Sequence, residues 1–462
     1  MTLVEELANF VVRSSYEDLS AEARRELKIR VLDSLGCAIG ALEGRPLAIL
    51  REQIKDFGGN PLSTLIAGGQ TAPDRAAFYN SALVRYLDYN DTFIAKGESC
   101  HPSDNLGAVL AASEYADRNG KDLLTALAVA YQVQCRLSEV APVRARGFDH
   151  TVEGTYAVAA GVSRALGLDA QRTANAIAIS GTAYNALRVT RTGSISHWKG
   201  MAYPAVAHAG THATFLAMRG MTGPIEVFEG NKGFMESIAG RFTIDWSREN
   251  LEIVRRTSIK KYNAEFHSQP TLEGILQLRE QHQLRADQIE RIEIDTFDVA
   301  YHIIGGGEEG DKRIVRTKEE ADHSLHYMVA VALLDGKVTP EQYRPERIVA
   351  SDVQALLRKV EVRPADDLSA RFPVEMPCRI RVLLTDGRRY DLEIADYPGF
   401  YSRPLSWEQA LEKFESLTAP YTDGELRRAI AETVQHLDEV PVRQLTALLA
   451  QVRLPAAGGP AL

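Results

Sequence analysis

Cysteine is scarce in this chain. Only 4 occur in 462 residues (Cys37, Cys100, Cys135 and Cys378), and no two form a CxxC pair. Scattered single thiols fit a reducing cytoplasm better than a disulfide framework or a zinc ribbon, and give little support to an iron–sulfur cluster. Basic charge is also short: 53 Lys and Arg against 62 Asp and Glu leave a net charge of −9. That balance argues against a nucleic-acid partner, which calls for a basic excess. No apolar run approaches the roughly 18 residues needed to span a bilayer. The opening MTLVEELANFVV carries acids where a signal peptide has a basic region, so none is expected. Motifs for phosphate and acyl chemistry are missing too. GGGEEG lacks a GK[ST] ending, and no GxSxG elbow occurs. His208 and His212 in HAGTH have the i, i+4 spacing of zinc-protease ligands but not the glutamate, so no metal site is expected there. With no fixed-period repeat, a solenoid is not expected either.

What is present reads as a two-domain globular protein. The length exceeds one ordinary core, and 45% hydrophobic with 25% charged residues is a globular composition. Helices are predicted for 20–42 with Ser20 as N-cap, for 47–57, and for 74–89 opened by Pro73. More follow Pro102, reaching 116, and then cover 123–140, 155–166, 170–182 and 202–218. Ser63 to Ala67 reads as an isolated extended piece. The pattern changes after about Gln269. QIERIEIDTF (288–297) alternates as a strand, and a glycine-rich loop at 305–312 leads to a helix at 324–334. The stretch 353–359 reads as helix and 360–363 as a strand. Asp386-Gly387 marks a hairpin within 379–394. Helices resume at 406–417, 424–437 and 442–452, before a loose tail from Pro455. The fold class is therefore mainly α: a large, discontinuous helical domain (1–269 and 401–462) interrupted by a smaller α+β domain (270–400).

Three polar clusters stand between apolar segments, where charge is costly unless it is paired or does chemistry. The first is LDYNDTFIAKGESCHPSDNLG (87–107). Asp88 and Thr92 would lie one turn apart on a continuing helix. His101, just before Pro102, would sit at the positive end of the next helix, suited to general acid or base work. Lys96, Glu98 and Cys100 read as rim or loop residues. The second cluster, RVTRTGSISHWKG, offers Arg188, Arg191, His197 and Lys199, with Trp198 suggesting a packed loop. The third, IKKYNAEFHSQ, holds Lys260, Lys261, Glu265 and His267 near the domain junction, a favoured place for a ligand cleft. In ADHSLHY, His323 could reach a cleft, whereas His326 reads as covering a helix surface. For each cluster the plain alternative is a solvated loop or a structural ion-pair network.

Five pieces, HPSDN (101–105), SHWKG (196–200), TGPIEVFEGNKGFM (222–235), KKYNAEFHSQ (260–269) and ADHSLHYMVAVALLDG (321–336), occur in this order and together resemble the MmgE/PrpD family. The resemblance covers nearly the whole chain and is strongest to the family's 2-methylcitrate dehydratases. It implies a large helical domain with an α+β lid, a homodimer, and catalysis with no cofactor and no iron–sulfur cluster. By similarity to the family's cis-aconitate decarboxylase, Asp88, Thr92, His101, His150, Lys199 and Lys260 correspond to active-site positions. Two departures from the decarboxylase weigh towards the dehydratase: Glu265 where it has a histidine, and a longer insertion between Thr92 and His101.

The implied reaction is elimination of water from a tricarboxylate, 2-methylcitrate or also citrate. It needs a base for the proton next to a carboxylate, an acid for the departing hydroxyl, and cations for the carboxylates. His101 is expected as base or acid, with Asp88 as its orienting or relay partner and Lys199 and Lys260 as clamps. His150, Arg188 and His267 come second, and Arg191, Glu265 and His323 complete the substrate-binding set. Decarboxylation of cis-aconitate and epimerisation of a dicarboxylate remain rivals on the same scaffold. A non-catalytic helical binding protein is the rival of another class.

Overall fold

The computed structural model describes residues 1–192, 195–308 and 310–454. The tail expected from Pro455 lies outside the described residues, as do Gly193 and Ser194 of the second cluster and Glu309 of the glycine-rich loop. The chain divides into two compact units. Among the described residues, one comprises Met1–Thr190, Trp198–Ser258 and 406–454; the other comprises Arg191–His197 and Ile259–Leu405.

The first unit is a helical assembly. Its helices are α1 (Leu3–Arg13), α2 (Ala21–Gly40), α3 (Arg45–Phe57), α4 (Pro73–Tyr86), α5 (Leu106–Tyr115), α6 (Gly120–Val140), α7 (Thr151–Leu166), α8 (Ala170–Ala183) and α9 (Trp198–Met218). Helix α1, not among the helices expected from the sequence, is amphipathic and buries Val4, Leu7, Phe10 and Val11. Ser20 caps α2 as expected, its hydroxyl accepting from the Ala23 amide at 3.1 Å. Small residues set the packing distance. A β-carbon on Gly107 of α5 would lie 2.3 Å from the Ser81 backbone nitrogen of α4, so only glycine permits this approach. The returning helix Trp407–Thr418 lies on α2, where Gly36 and Gly40 make room for Phe414 and Leu417. Below that contact Lys413 pairs with buried Asp33 at 2.6 Å. Helices Gly424–Gln435 and Val442–Leu449 complete the unit.

Two small hairpins punctuate these helices. Ser63–Leu65 (β1) is not isolated: it pairs antiparallel with Gly69–Thr71 (β2), the chain reversing at Gly68-Gly69 with Gly69 at φ +84°. The polar residues of β2 hid the pairing from a pattern that looks for apolar alternation. Phe93–Ala95 (β3) and Glu98–Cys100 (β4) form the second hairpin inside the first polar cluster.

The second unit is built on a four-stranded sheet in the order β6-β5-β7-β8, with β5 Ile289–Thr296, β6 Val360–Pro364, β7 Cys378–Leu384 and β8 Arg389–Ile394. β5 and β6 run parallel and the other pairs antiparallel. Alternation in β7 turns Cys378, Ile380, Val382 and Leu384 inward. Against that face pack α10 (Gln269–His282) and the helix Leu325–Asp335, which form one apolar core with the strands. The opposite face carries charge: Arg381 pairs with Asp295 and, at 3.4 Å, with Glu293. No helix among the described residues is long and apolar enough to cross a membrane.

Candidate active site

In the first unit, α4 stops at Tyr86 and Leu87 caps it, so Asp88 and Thr92 are not successive turns of one helix. Asp88 instead takes the left-handed conformation at φ +54°, one of the few residue types that tolerates it. This turn sets its carboxylate between two cations. Oδ1 accepts from Arg85 Nη1 at 2.7 Å, and Oδ2 lies 3.3 Å from Nζ of Lys199, in the first turn of α9. All three side chains are at least nine-tenths buried, and Arg85 Nε also lies 3.7 Å from Asp104. Two cations and two carboxylates therefore compensate one another in a place where a lone charge would cost several kcal/mol.

Past this turn the backbone runs through Asn90 and Asp91 into β3. Asn90 donates to Ser103 Oγ at 2.9 Å and to Asp104 at 2.8 Å. Asp91 is fully buried and accepts from the Ser103 amide at 3.1 Å and the Tyr131 hydroxyl at 2.7 Å. Burial raises its pKa, and those donors oppose the rise. Thr92 exchanges backbone hydrogen bonds with Ser258, both at 2.8 Å. The loop so fixed presents the Asp91 carbonyl to His101 Nδ1 at 2.8 Å, with Thr92 Oγ1 at 3.2 Å from the same nitrogen. A carbonyl only accepts, so Nδ1 carries the proton in the neutral ring and the lone pair lies on Nε2.

The His150 ring meets that of His101 edge-on, with centroids 5.5 Å apart. His150 Nδ1 lies 3.4 Å from Asp149, whose carboxylate is also 3.9 Å from Arg188 Nη1 and accepts from Thr190 Oγ1 at 3.4 Å. Glu98 and Cys100 are buried members of β4, not rim residues. The Glu98 carboxylate accepts from the amides of Val143 (3.3 Å) and Arg144 (2.9 Å), pinning the hairpin to the loop before His150. Lys96 at the hairpin tip is exposed. Trp198, expected to be packed, is 51% exposed, and His197 is exposed beside it.

The second unit carries its own cluster. Lys260 is 1% exposed. Glu265 takes the backbone amide and Nδ1 of His267, both at 2.7 Å. Burial alone would raise the Glu265 pKa, but His267, His323 and Lys260 outweigh it and bring it down to about 2. The Glu265 amide donates to the Asp322 carbonyl at 3.1 Å, which ties this segment to ADHSLHY. There Asp322, wholly buried, meets His323 Nδ1 at 2.6 Å and Lys318 Nζ at 2.8 Å. His326 is not a surface cover: it is buried, and desolvation lowers its pKa to about 4. Arg191, half-buried, closes the 3-10 turn Arg188–Arg191.

Family models for the MmgE/PrpD N-terminal domain and the MmgE/PrpD C-terminal domain match residues 5–247 and 262–439. The chain belongs to the MmgE/PrpD family. It is 28% identical to a 2-methylcitrate dehydratase of Salmonella typhi over 93% of this chain and 94% of that protein. It is 27% identical to a mitochondrial 2-methylcitrate dehydratase of Yarrowia lipolytica (94% and 87% covered). To the cis-aconitate decarboxylase of Mus musculus it is 25% identical (95% and 91% covered).

Several members of these networks went unselected in the sequence. Arg85, inside α4, reads as a solvated helix charge. Tyr131, in the middle of α6, reads as core. Asp149 and Asp322 each directly precede a selected histidine (FDH and ADH), and that carboxylate–histidine adjacency was the available signal.

Proposed function

We propose that this MmgE/PrpD protein is a hydro-lyase that dehydrates 2-methylcitrate, and also citrate, to the corresponding aconitate. The observation that carries the mechanism is the pinned ring of His101. With Nδ1–H committed to the Asp91 carbonyl, Nε2 is the basic atom and takes the proton from the carbon next to a substrate carboxylate. His150 Nδ1 lies beside Asp149, which stabilises a protonated ring, so His150 is the acid that delivers a proton to the departing hydroxyl. Lys199, paired with Asp88 at 3.3 Å, binds a carboxylate and stabilises the negative charge that builds on it. Arg188, which lies 3.9 Å from Asp149, binds a second carboxylate, and Thr92 lies against the His101 ring.

The name and high coverage of the dehydratase relatives support this reaction. We place the enzyme in the cytoplasm, as a homodimer, in propionate breakdown by the methylcitrate cycle. The exposed Trp198 is consistent with a surface that a second copy covers.

Incubating the purified protein separately with 2-methylcitrate, citrate and cis-aconitate tests the reaction. Appearance of the conjugated aconitate product from 2-methylcitrate is expected; itaconate as the main product from cis-aconitate would replace the dehydratase by the decarboxylase. His101→Ala is expected to lower kcat by at least about a hundredfold, as when a positioned acid–base group is removed. Unchanged turnover in that variant would remove His101 from the mechanism.

A further inference from the structure

Away from the clusters above, α4 and α9 bring together another group of metal-ligating side chains. Asp74 lies in the first turn of α4, and His208 and His212 lie one turn apart on α9. His212 Nδ1 is 3.2 Å from Asp74 Oδ2, and His208 Nε2 is 3.9 Å from the same oxygen. The two imidazoles are within 1° of parallel, with centroids 6.4 Å apart.

These distances can be set against what an ion requires. With metal–nitrogen and metal–oxygen bonds near 2.0–2.2 Å, neighbouring ligand atoms of a tetrahedral site lie roughly 3.4 Å apart. The two Asp74–histidine distances straddle that value. What remains is approach of the imidazoles to each other. The His212 side chain is 57% exposed and that of His208 37%, so both rings are reachable from solvent.

We propose that Asp74, His208 and His212 form a surface site for one divalent transition-metal ion of the imidazole-preferring class, such as zinc or nickel. Its role is structural. HAGTH has no glutamate to serve as a hydrolytic base, and the position on the helices indicates a staple. The Asp74–His212 contact and the Asp88–Lys199 contact show that α4 and α9 run antiparallel. Asp74 lies about 18 Å along α4 from Tyr86, at 1.5 Å per residue. The ion therefore ties the ends of the two helices opposite to those that carry Asp88 and Lys199.

The test uses the full chain, without a histidine tag and stripped by a chelator, titrated with zinc chloride by calorimetry and followed by thermal unfolding. One equivalent per chain and a raised unfolding temperature are expected. The double variant His208→Ala/His212→Ala should bind at least tenfold more weakly and lose the thermal shift, and Asp74→Asn should weaken binding by a smaller factor. Absence of zinc uptake by the wild-type chain overturns the proposal. So does a double variant with the same stoichiometry and affinity as wild type. If the double variant loses its native circular dichroism, His212→Ala alone, at the most exposed position, carries the same comparison.

Discussion

Replacing Asp88 by asparagine preserves shape at the turn after α4 and removes the charge shared by Arg85 and Lys199. The contacts are 2.7 and 3.3 Å, and every partner is at least nine-tenths buried. At an effective dielectric of about 20, each contact is worth roughly 5–6 kcal/mol before desolvation is counted. Desolvation offsets most of that in the intact pair, but the variant still bears the cost of burying the two cations. Removing one partner of such an arrangement costs about 3–5 kcal/mol. Arg85 keeps Asp104 at 3.7 Å, so we expect the lower end, about 3 kcal/mol. Tryptophan fluorescence in urea is the assay, because Trp198, Trp246 and Trp407 all belong to the first unit. The companion Lys199→Met removes the cation with the longer contact. If the charges are coupled, Asp88→Asn/Lys199→Met will be destabilised by at least about 1 kcal/mol less than the sum of the single variants. An Asp88→Asn protein within about 0.5 kcal/mol of wild type, or strict additivity in the cycle, would refute the buried-pair argument.

Two further outcomes follow from the geometry. Glu265 has its folded-state pKa depressed to about 2 against a reference of 4.5. Its stabilisation is therefore fully present above about pH 4.5 and is lost as pH falls towards 2, amounting to at most about 3 kcal/mol. Glu265→Gln should accordingly speed hydrogen exchange within Ile259–Leu405 at pH 7, and the difference from wild type should shrink on acidification; a difference that is constant with pH would contradict the assignment. Gly107→Ala places a methyl group 2.3 Å from the Ser81 backbone nitrogen, and forcing α4 and α5 apart should cost about 1–3 kcal/mol in the same urea assay. A neutral result there would mean that the helices slide apart without cost.

Those predictions draw on features of unequal visibility in the sequence. Helix α2 was legible because Ser20 offers a side-chain acceptor directly before Leu27, Val31, Leu35 and Ile39 repeat on one face. The β7–β8 hairpin was legible because Asp386-Gly387 interrupts an alternating run. Both signals are local. The end of α4 was not legible to the residue, because Leu87, Asp88 and Tyr89 are no worse than average helix formers in sum. Here tertiary pairing decides: Asp88 leaves the helix to meet Lys199, a residue 111 positions away. The β1–β2 pairing was missed for a related reason, since Gly69 and Gln70 carry no apolar signal and the backbone ladder alone defines the strand.

The candidate site divides along the same line. Side chains that meet other side chains could be anticipated by type: a histidine next to an aspartate, lysines near acids. His101 is different, because its tautomer is set by a main-chain oxygen, the carbonyl of Asp91. Any residue at position 91 supplies a carbonyl, so no residue type announces this contact. What the aspartate adds acts at one remove. Its carboxylate takes the Ser103 amide and the Tyr131 hydroxyl, and those two bonds hold the loop so that its own carbonyl faces the ring. Arg85 works in the same indirect way, fixing Asp88 so that Asp88 can hold Lys199. The residues that choose a proton's position or keep a cation in place thus stand one contact behind those that would meet a substrate. They are buried, and their types are ordinary for helix and loop, so only the folded geometry brings them out.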